Sequence, residues 1–173
     1  MHTTQEWWNA VKADPTKLAT WLTAQYHGEL GAAVRIEAYT EKYATEARDK
    51  LILRTIASQE RDHAAWVHGL LATRGISPTD AHVDRYWREV LPEVDSLATG
   101  AAIGAHAEAM RLERIRTIAA DESAPEDIRT VFQRILPQEV WHERVFRDLA
   151  GPEHMTATAA AQGRAMEAIG LVL

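Results

Sequence analysis

Two short stretches, QERDH at residues 59–63 and QEVWH at residues 138–142, decide the fold of this chain. Each contains a glutamate and a histidine three positions apart, which point to the same side of an α-helix. Apolar residues recur at spacings of three and four around both stretches, so the acid and the imidazole fall on the apolar face. The pattern therefore predicts two helices that each bury a glutamate next to a histidine.

The two stretches are related by an offset of 79 residues. The same offset relates Glu29 to Glu108, which interrupt the apolar stripes of two other helical segments. Each of these glutamates stands 31 positions before the glutamate of the stretch that follows it. The chain is therefore predicted to contain one helical hairpin twice, with a carboxylate on the first helix and Glu-x-x-His on the second.

Helix start and stop signals divide the rest of the chain. Asp14 followed by Pro15 predicts the start of the first long helix, because aspartate caps and proline fits the first turn. Glycine and proline after residue 74 and at 151–152 predict the ends of the second and fourth long helices. The expected long helices span about 15–43, 46–74, 96–121 and 124–150, with shorter ones at about 4–11, 81–91 and 153–168.

This order of segments favours an all-α, four-helix bundle in which a long crossover joins two repeated hairpins. The segments show no alternating pattern of apolar and polar residues that would indicate strands. We expect a single domain over residues 1–173, with the four-helix core at about 14–150 and short helices at both ends.

Composition excludes several classes of function. The chain has 19 lysines and arginines against 25 acidic residues, a net charge of −6, which argues against nucleic-acid and anionic-membrane partners. It has no cysteine, which excludes disulfides, thiolate metal sites and a cysteine nucleophile. It also shows no apolar run of membrane-spanning length and no signal-peptide pattern, so we expect a cytoplasmic location.

The buried acids require a compensating charge. An ionised carboxylate without a partner costs several kcal/mol to bury, and the repeat would bring four of them to the bundle core. Two divalent cations would balance the four negative charges. The alternative is a polar core filled with water.

With these motifs the sequence resembles the ferritin-like di-iron carboxylate superfamily, to which rubrerythrins and bacterioferritins belong. That superfamily places one glutamate on each of two helices and Glu-x-x-His on each of the other two. The resemblance covers residues 14–150 and implies six metal ligands. By this resemblance Glu29 and Glu108 look like terminal ligands, Glu60 and Glu139 like bridging ligands, and His63 and His142 like nitrogen ligands.

The ligand set also bears on the metal. Oxygen-rich ligation with one imidazole per ion suits iron or manganese. The resemblance implies two iron ions as the cofactor, because the superfamily uses iron to activate dioxygen or peroxide, with manganese or a mixed iron and manganese pair as the alternatives. The methionine that binds haem in bacterioferritins is replaced by Arg61, so no haem is expected. Rubrerythrins carry a cysteine-bound iron module and one more glutamate on the third helix, where this chain has Gly104 and Ala105.

The resemblance implies an oxidoreductase that depends on dioxygen or peroxide, acts on an unidentified small molecule and takes electrons from an external donor. One rival is a ferritin-like ferroxidase that stores iron in a large shell. Another is a non-enzymatic helical module with structural metals. A monomer or a homodimer is the expected state of the oxidoreductase.

Four other side chains are candidates for roles around the metals. Gln59 and Gln138 precede the bridging glutamates and are candidates for hydrogen bonding to ligands. Tyr26 stands one turn before Glu29, and Trp141 lies within the second Glu-x-x-His motif. Glycines and alanines near both terminal ligands allow either close helix packing or a substrate cavity, and the sequence leaves both open.

Overall fold

The computed structural model describes residues 3–79 and 85–170 of the chain. Helices account for most of these residues, and neither described range contains a strand. The predicted all-α class is thereby confirmed. The helices are α1 (Thr4–Lys12), α2 (Pro15–Tyr43), α3 (Ala47–Ala72), α4 (Arg85–Val90), α5 (Leu97–Ala120) and α6 (Glu126–Ala168), with a 3₁₀ turn at Leu91–Glu93.

The start of α2 follows from its local sequence. The Asp14 side chain accepts hydrogen bonds from the backbone amides of Thr16, at 2.9 Å, and Lys17, at 3.2 Å. Pro15 occupies the first turn, where its missing amide hydrogen costs nothing. The helix therefore begins where its sequence signals place it, and it ends at Tyr43, the expected bound.

The crossover and the C-terminal helix can also be compared with the sequence prediction. Helix α4 covers Arg85–Val90, within the predicted segment of about 81–91, and positions 81–84 of that segment lie outside the described residues. The predicted break between the fourth and the C-terminal helix falls at Gly151, which has φ 70° and ψ 164° within the range of α6. A positive φ favours glycine, since a Cβ is strained there.

The described residues form two compact units. The first comprises 3–79 and 111–138, and so includes α1, α2, α3 and parts of α5 and α6. These five helical segments share one apolar core, to which each contributes from one stripe. Its largest buried side chains include Trp8, Leu22, Leu71, Ile118 and Phe132, all 0% exposed.

Polar contacts hold α1 against the rest of the first unit. Asp121, just after α5, accepts hydrogen bonds from the Trp8 indole at 2.8 Å and the Lys12 ammonium at 2.5 Å. The Lys12 bond is the main reason that the pKa of Asp121 lies well below its ordinary value, with further help from Ser123. The buried indole thus has its hydrogen-bond acceptor at the core boundary.

The second unit comprises 85–110 and 139–170 and has a smaller core. Tyr86 and Val90 of α4 pack there with Ile103 of α5 and Ala165 of α6. The Tyr86 hydroxyl also donates to the side-chain oxygen of Gln162. The crossover helix is therefore held by the C-terminal part of α6.

Within the described residues no helix combines the length and the apolar character that crossing a membrane would need.

Candidate metal centre

Three of the six predicted ligands lie together in the first unit. Glu29 comes from α2, and Glu60 and His63 come from adjacent turns of α3. All three side chains are fully buried, and each offers a ligand atom within 4.8 Å of those of the other two. The His63 Nδ1 atom lies 3.8 Å from Glu29 Oε2 and 4.0 Å from Glu60 Oε2. We call this group the first triad.

A hydrogen bond fixes which nitrogen of His63 points at the carboxylates. The Nε2 atom lies 2.7 Å from the Gln138 side-chain oxygen, an acceptor, so Nε2 donates and carries the proton. In the neutral ring Nδ1 then holds the lone pair. The nitrogen that faces Glu29 and Glu60 is therefore the one able to bind a cation.

The two oxygens of Glu29 have different surroundings. Its Oε1 atom accepts from Gln25 Nε2 at 2.5 Å and lies 2.6 Å from Arg111 Nη2. Its Oε2 atom is the one near His63 Nδ1. The carboxylate is thus oriented by its Oε1 contacts so that Oε2 points to the centre of the triad.

The other three predicted ligands lie together in the second unit, as the second triad. Glu108 of α5 is 4% exposed, and Glu139 and His142 of α6 are fully buried. Their ligand atoms also lie within 4.8 Å of one another. The His142 Nδ1 atom is 3.7 Å from Glu139 Oε2, so this triad repeats the donor types of the first.

Each triad has donors that suit a hard or intermediate divalent cation. Two carboxylates and one imidazole nitrogen converge in a buried place, where grouped negative charge is costly unless a cation balances it. Oxygen-rich ligation of this kind fits iron and manganese. The residues present therefore fit a metal ion at each triad.

Comparison with known families identifies the fold around these triads. The family model for Rubrerythrin matches residues 21–150, which include all six predicted ligands. The chain belongs to the rubrerythrin family. No curated protein and no solved structure matched the chain.

Membership of the rubrerythrin family confirms the ferritin-like fold that the resemblance of the sequence implied. This is a family of di-iron carboxylate proteins, and the buried glutamates and histidines of this member fit a di-iron site. The ligand role of each individual residue remains a prediction.

In this rubrerythrin-family chain a tryptophan contacts each candidate histidine ligand. The Trp66 ring centroid lies 5.5 Å from that of His63, and the Arg134 guanidinium stacks over Trp66 at 3.8 Å. Trp141 lies 5.7 Å from His142 and is 37% exposed. Each candidate histidine ligand thus has an indole as a neighbour within its own unit.

The other two sequence candidates have different surroundings. Tyr26 packs beside the core of the first unit, with its ring 5.1 Å from His27 and 5.5 Å from His68. Its ring contacts are therefore with histidines outside the predicted ligand set. Gln59 is half-buried next to Glu60 on α3.

The small residues near the terminal ligands are not all alike. A Cβ added at Gly104 would lie 3.1 Å from the ring of Phe146, whereas one added at Gly28 would meet no atom within 4 Å. Gly104 therefore permits close packing of an aromatic ring on α5. This favours the packing interpretation for Gly104, one of the two that the sequence left open.

The sequence interpretation missed two residues of the first triad, Gln25 and Arg111. Gln25 stands one helical turn before Glu29, so the spacing of four could have indicated it. Arg111 lies three positions after Glu108 on α5, and only the packing of helices brings its guanidinium to Glu29.

Proposed function

We propose that the protein binds two iron ions, one at each triad, and acts as an oxidoreductase that uses dioxygen or peroxide. In this proposal Glu60 and Glu139 bridge the ions, as the pattern of the family suggests. The oxidised substrate is a small molecule, and an external donor returns the electrons.

One observation carries the proposal: the same buried donor set occurs twice, on residues related by the internal repeat. Four glutamates and two histidines, each at most 4% exposed, are kept in places where charge is costly without a cation. Bound iron would supply the redox chemistry. The protein supplies ligands, orientation and exclusion of water.

The first triad shows how these residues prepare a ligand set. Gln138 fixes the tautomer of His63, and Gln25 donates to Glu29 Oε1. Such contacts around ligands typically change metal affinity or activity when they are removed. The first triad is therefore oriented by its neighbours as well as composed of suitable donors.

The test begins with metal analysis of the purified protein, followed by anaerobic loading with Fe²⁺ and exposure to oxygen. We expect two irons per chain and uptake of about one O₂ per pair of irons, which then stops until a reductant is added. Size-exclusion chromatography should show a monomer or a dimer. The Glu60→Ala, Glu139→Ala double variant serves as the control that should take up little oxygen.

Two other outcomes would favour the rivals. A particle of many subunits that keeps oxidising a large excess of added iron would indicate a storage ferroxidase. Bound iron that does not react with oxygen or peroxide would indicate a structural metal. Either result would overturn the proposed oxidoreductase.

A further inference from the structure

A cationic side chain reaches the buried carboxylates of the first triad. The Arg111 Nη2 atom lies 2.6 Å from Glu29 Oε1, and its Nη1 atom lies 3.8 Å from Glu60 Oε2. Both carboxylates are fully buried, while the arginine side chain is 22% exposed. A positive charge from α5 therefore enters a place where the sequence predicts a metal ion.

Arg111 and a metal would use opposite oxygens of the same carboxylate. Arg111 and Gln25 both contact Glu29 Oε1, whereas Glu29 Oε2 is the atom near His63 Nδ1. Arg111 and His63 therefore approach Glu29 from different oxygens. A bound ion and the guanidinium would then share Glu29, and two positive charges would lie close together.

The charge of Arg111 has opposite effects on the protein with and without metal. Without metal it stabilises the two buried carboxylates by supplying a positive charge within 4 Å of each. With metal it repels the ion and withdraws electron density from the ligand, so binding is weaker. The guanidinium keeps its positive charge both before and after a metal ion binds.

We propose that Arg111 sets the metal affinity of the first triad, holding it below the value that the ligands alone would give. The inference rests on the proposed function, because it assumes that the triad binds a metal. Its consequence is a protein that stays folded before it is loaded with metal. Removal of the charge should tighten metal binding, whereas loss of a merely structural contact would weaken it.

The test compares Arg111→Gln with the wild type by titration with Mn²⁺. Oxygen does not oxidise this ion during the titration, so the experiment measures metal affinity alone. We expect the dissociation constant of one of the two ions to fall by about tenfold or more. The melting temperature of the protein without metal should fall more than that of the loaded protein. An unchanged or weaker affinity would overturn the inference.

Three control variants separate charge from hydrogen bonding. Arg111→Lys keeps the charge and should bind Mn²⁺ with nearly the wild-type affinity. Gln25→Leu removes the other hydrogen bond to Glu29 Oε1 without changing charge and should not tighten binding. Arg116→Gln removes an exposed arginine of the same helix and should leave the affinity unchanged.

Folding of the variant is informative in its own right. An Arg111→Gln protein that folds only when Mn²⁺ is present would support the inference, because the metal then replaces the missing charge. A variant that stays unfolded with Mn²⁺ would overturn it. A wild-type protein that binds no Mn²⁺ or Fe²⁺ would instead refute the proposed function.

Discussion

The imidazole of His63 on α3 donates through Nε2 to the side-chain oxygen of Gln138 on α6, over 2.7 Å. This contact selects the tautomer in which Nδ1 carries the lone pair and faces Glu29 and Glu60. Gln138 stands directly before Glu139, the predicted bridging glutamate of the second hairpin. It thus orients His63, which belongs to the first hairpin.

Replacing Gln138 by leucine should therefore lower metal affinity, since His63 loses the partner that fixes its tautomer. We expect a loss of about 10- to 100-fold, measured by competition with a chelator of known affinity. Gln138→Glu keeps an acceptor and should bind more tightly than Gln138→Leu. Gln133→Leu is the matched control on the same helix, because Gln133 donates to the backbone oxygen of Ala119 instead.

Removing the predicted ligands should reduce binding in stages. Glu60→Ala or Glu139→Ala should impair both ions, because each is expected to bridge, whereas His63→Ala or His142→Ala should mainly impair one. Metal content after dialysis measures the effect. His68→Ala, which removes an exposed histidine of α3, should keep two ions.

The ligand assignment fails on one clear result. If the Glu60→Ala, Glu139→Ala double variant still binds two ions tightly, other residues must hold them.

The hydrogen bonds from Trp8 and Lys12 of α1 to Asp121 predict that the stability of the protein depends on pH. The pKa of Asp121 is lowered from 3.8 chiefly by its hydrogen bond from Lys12. A lowered carboxyl pKa gives stability that is present above the unfolded value and lost as the pH falls through the folded value. Asp121→Asn should therefore cost about 2 kcal/mol of unfolding free energy at pH 7, with the difference from wild type shrinking below about pH 4.

Urea denaturation at several pH values measures this difference. The control is Asp148→Asn, since Asp148 is 75% exposed and pairs with Arg144 at 3.9 Å. An exposed pair of this kind contributes little, so that variant should stay within about 0.5 kcal/mol of wild type. A gap for Asp121→Asn that does not change with pH would contradict the role of its charge.

Close packing at Gly104 predicts a loss of stability when a methyl group is added. In Gly104→Ala the new Cβ would lie 3.1 Å from the ring of Phe146, which is 3% exposed and confined by its surroundings. The overpacking should outweigh the gain in helix propensity and leave a net loss of about 1 kcal/mol.

Gly163→Ala gives the matched comparison in the same unit. An added Cβ there meets no atom within 4 Å, so only the helix propensity changes. We expect a gain of about 0.5 to 1 kcal/mol in urea midpoint experiments. Equal stabilisation by both substitutions would show that Phe146 moves aside and that the site is not tightly packed.

The sequence by itself determined the helices and the places where they begin and end. Asp14, Pro15 and Gly151 act on the backbone at their own position or within three residues of it, so their effects do not depend on distant residues. Helix α4 covers Arg85–Val90 of the predicted crossover segment, whose positions 81–84 lie outside the described residues.

The sequence also determined which donors fall on the apolar faces. Glutamate and histidine at a spacing of three share one side of a helix, and the 79-residue offset shows that the arrangement occurs twice. All six predicted ligands are buried in the structure, in two groups of three.

Only the tertiary structure decided which neighbours orient those donors. A helical period gives the face on which a residue lies, but it does not give the rotation of the helix or the residue opposite. The contacts from Gln138 to His63 and from Arg111 to Glu29 join residues 75 and 82 positions apart. The packing of Phe146 on Gly104 likewise joins two helices. These contacts form only when helices pack against each other. A change of a few tenths of an ångström in the distance between two groups decides whether they form a hydrogen bond or clash.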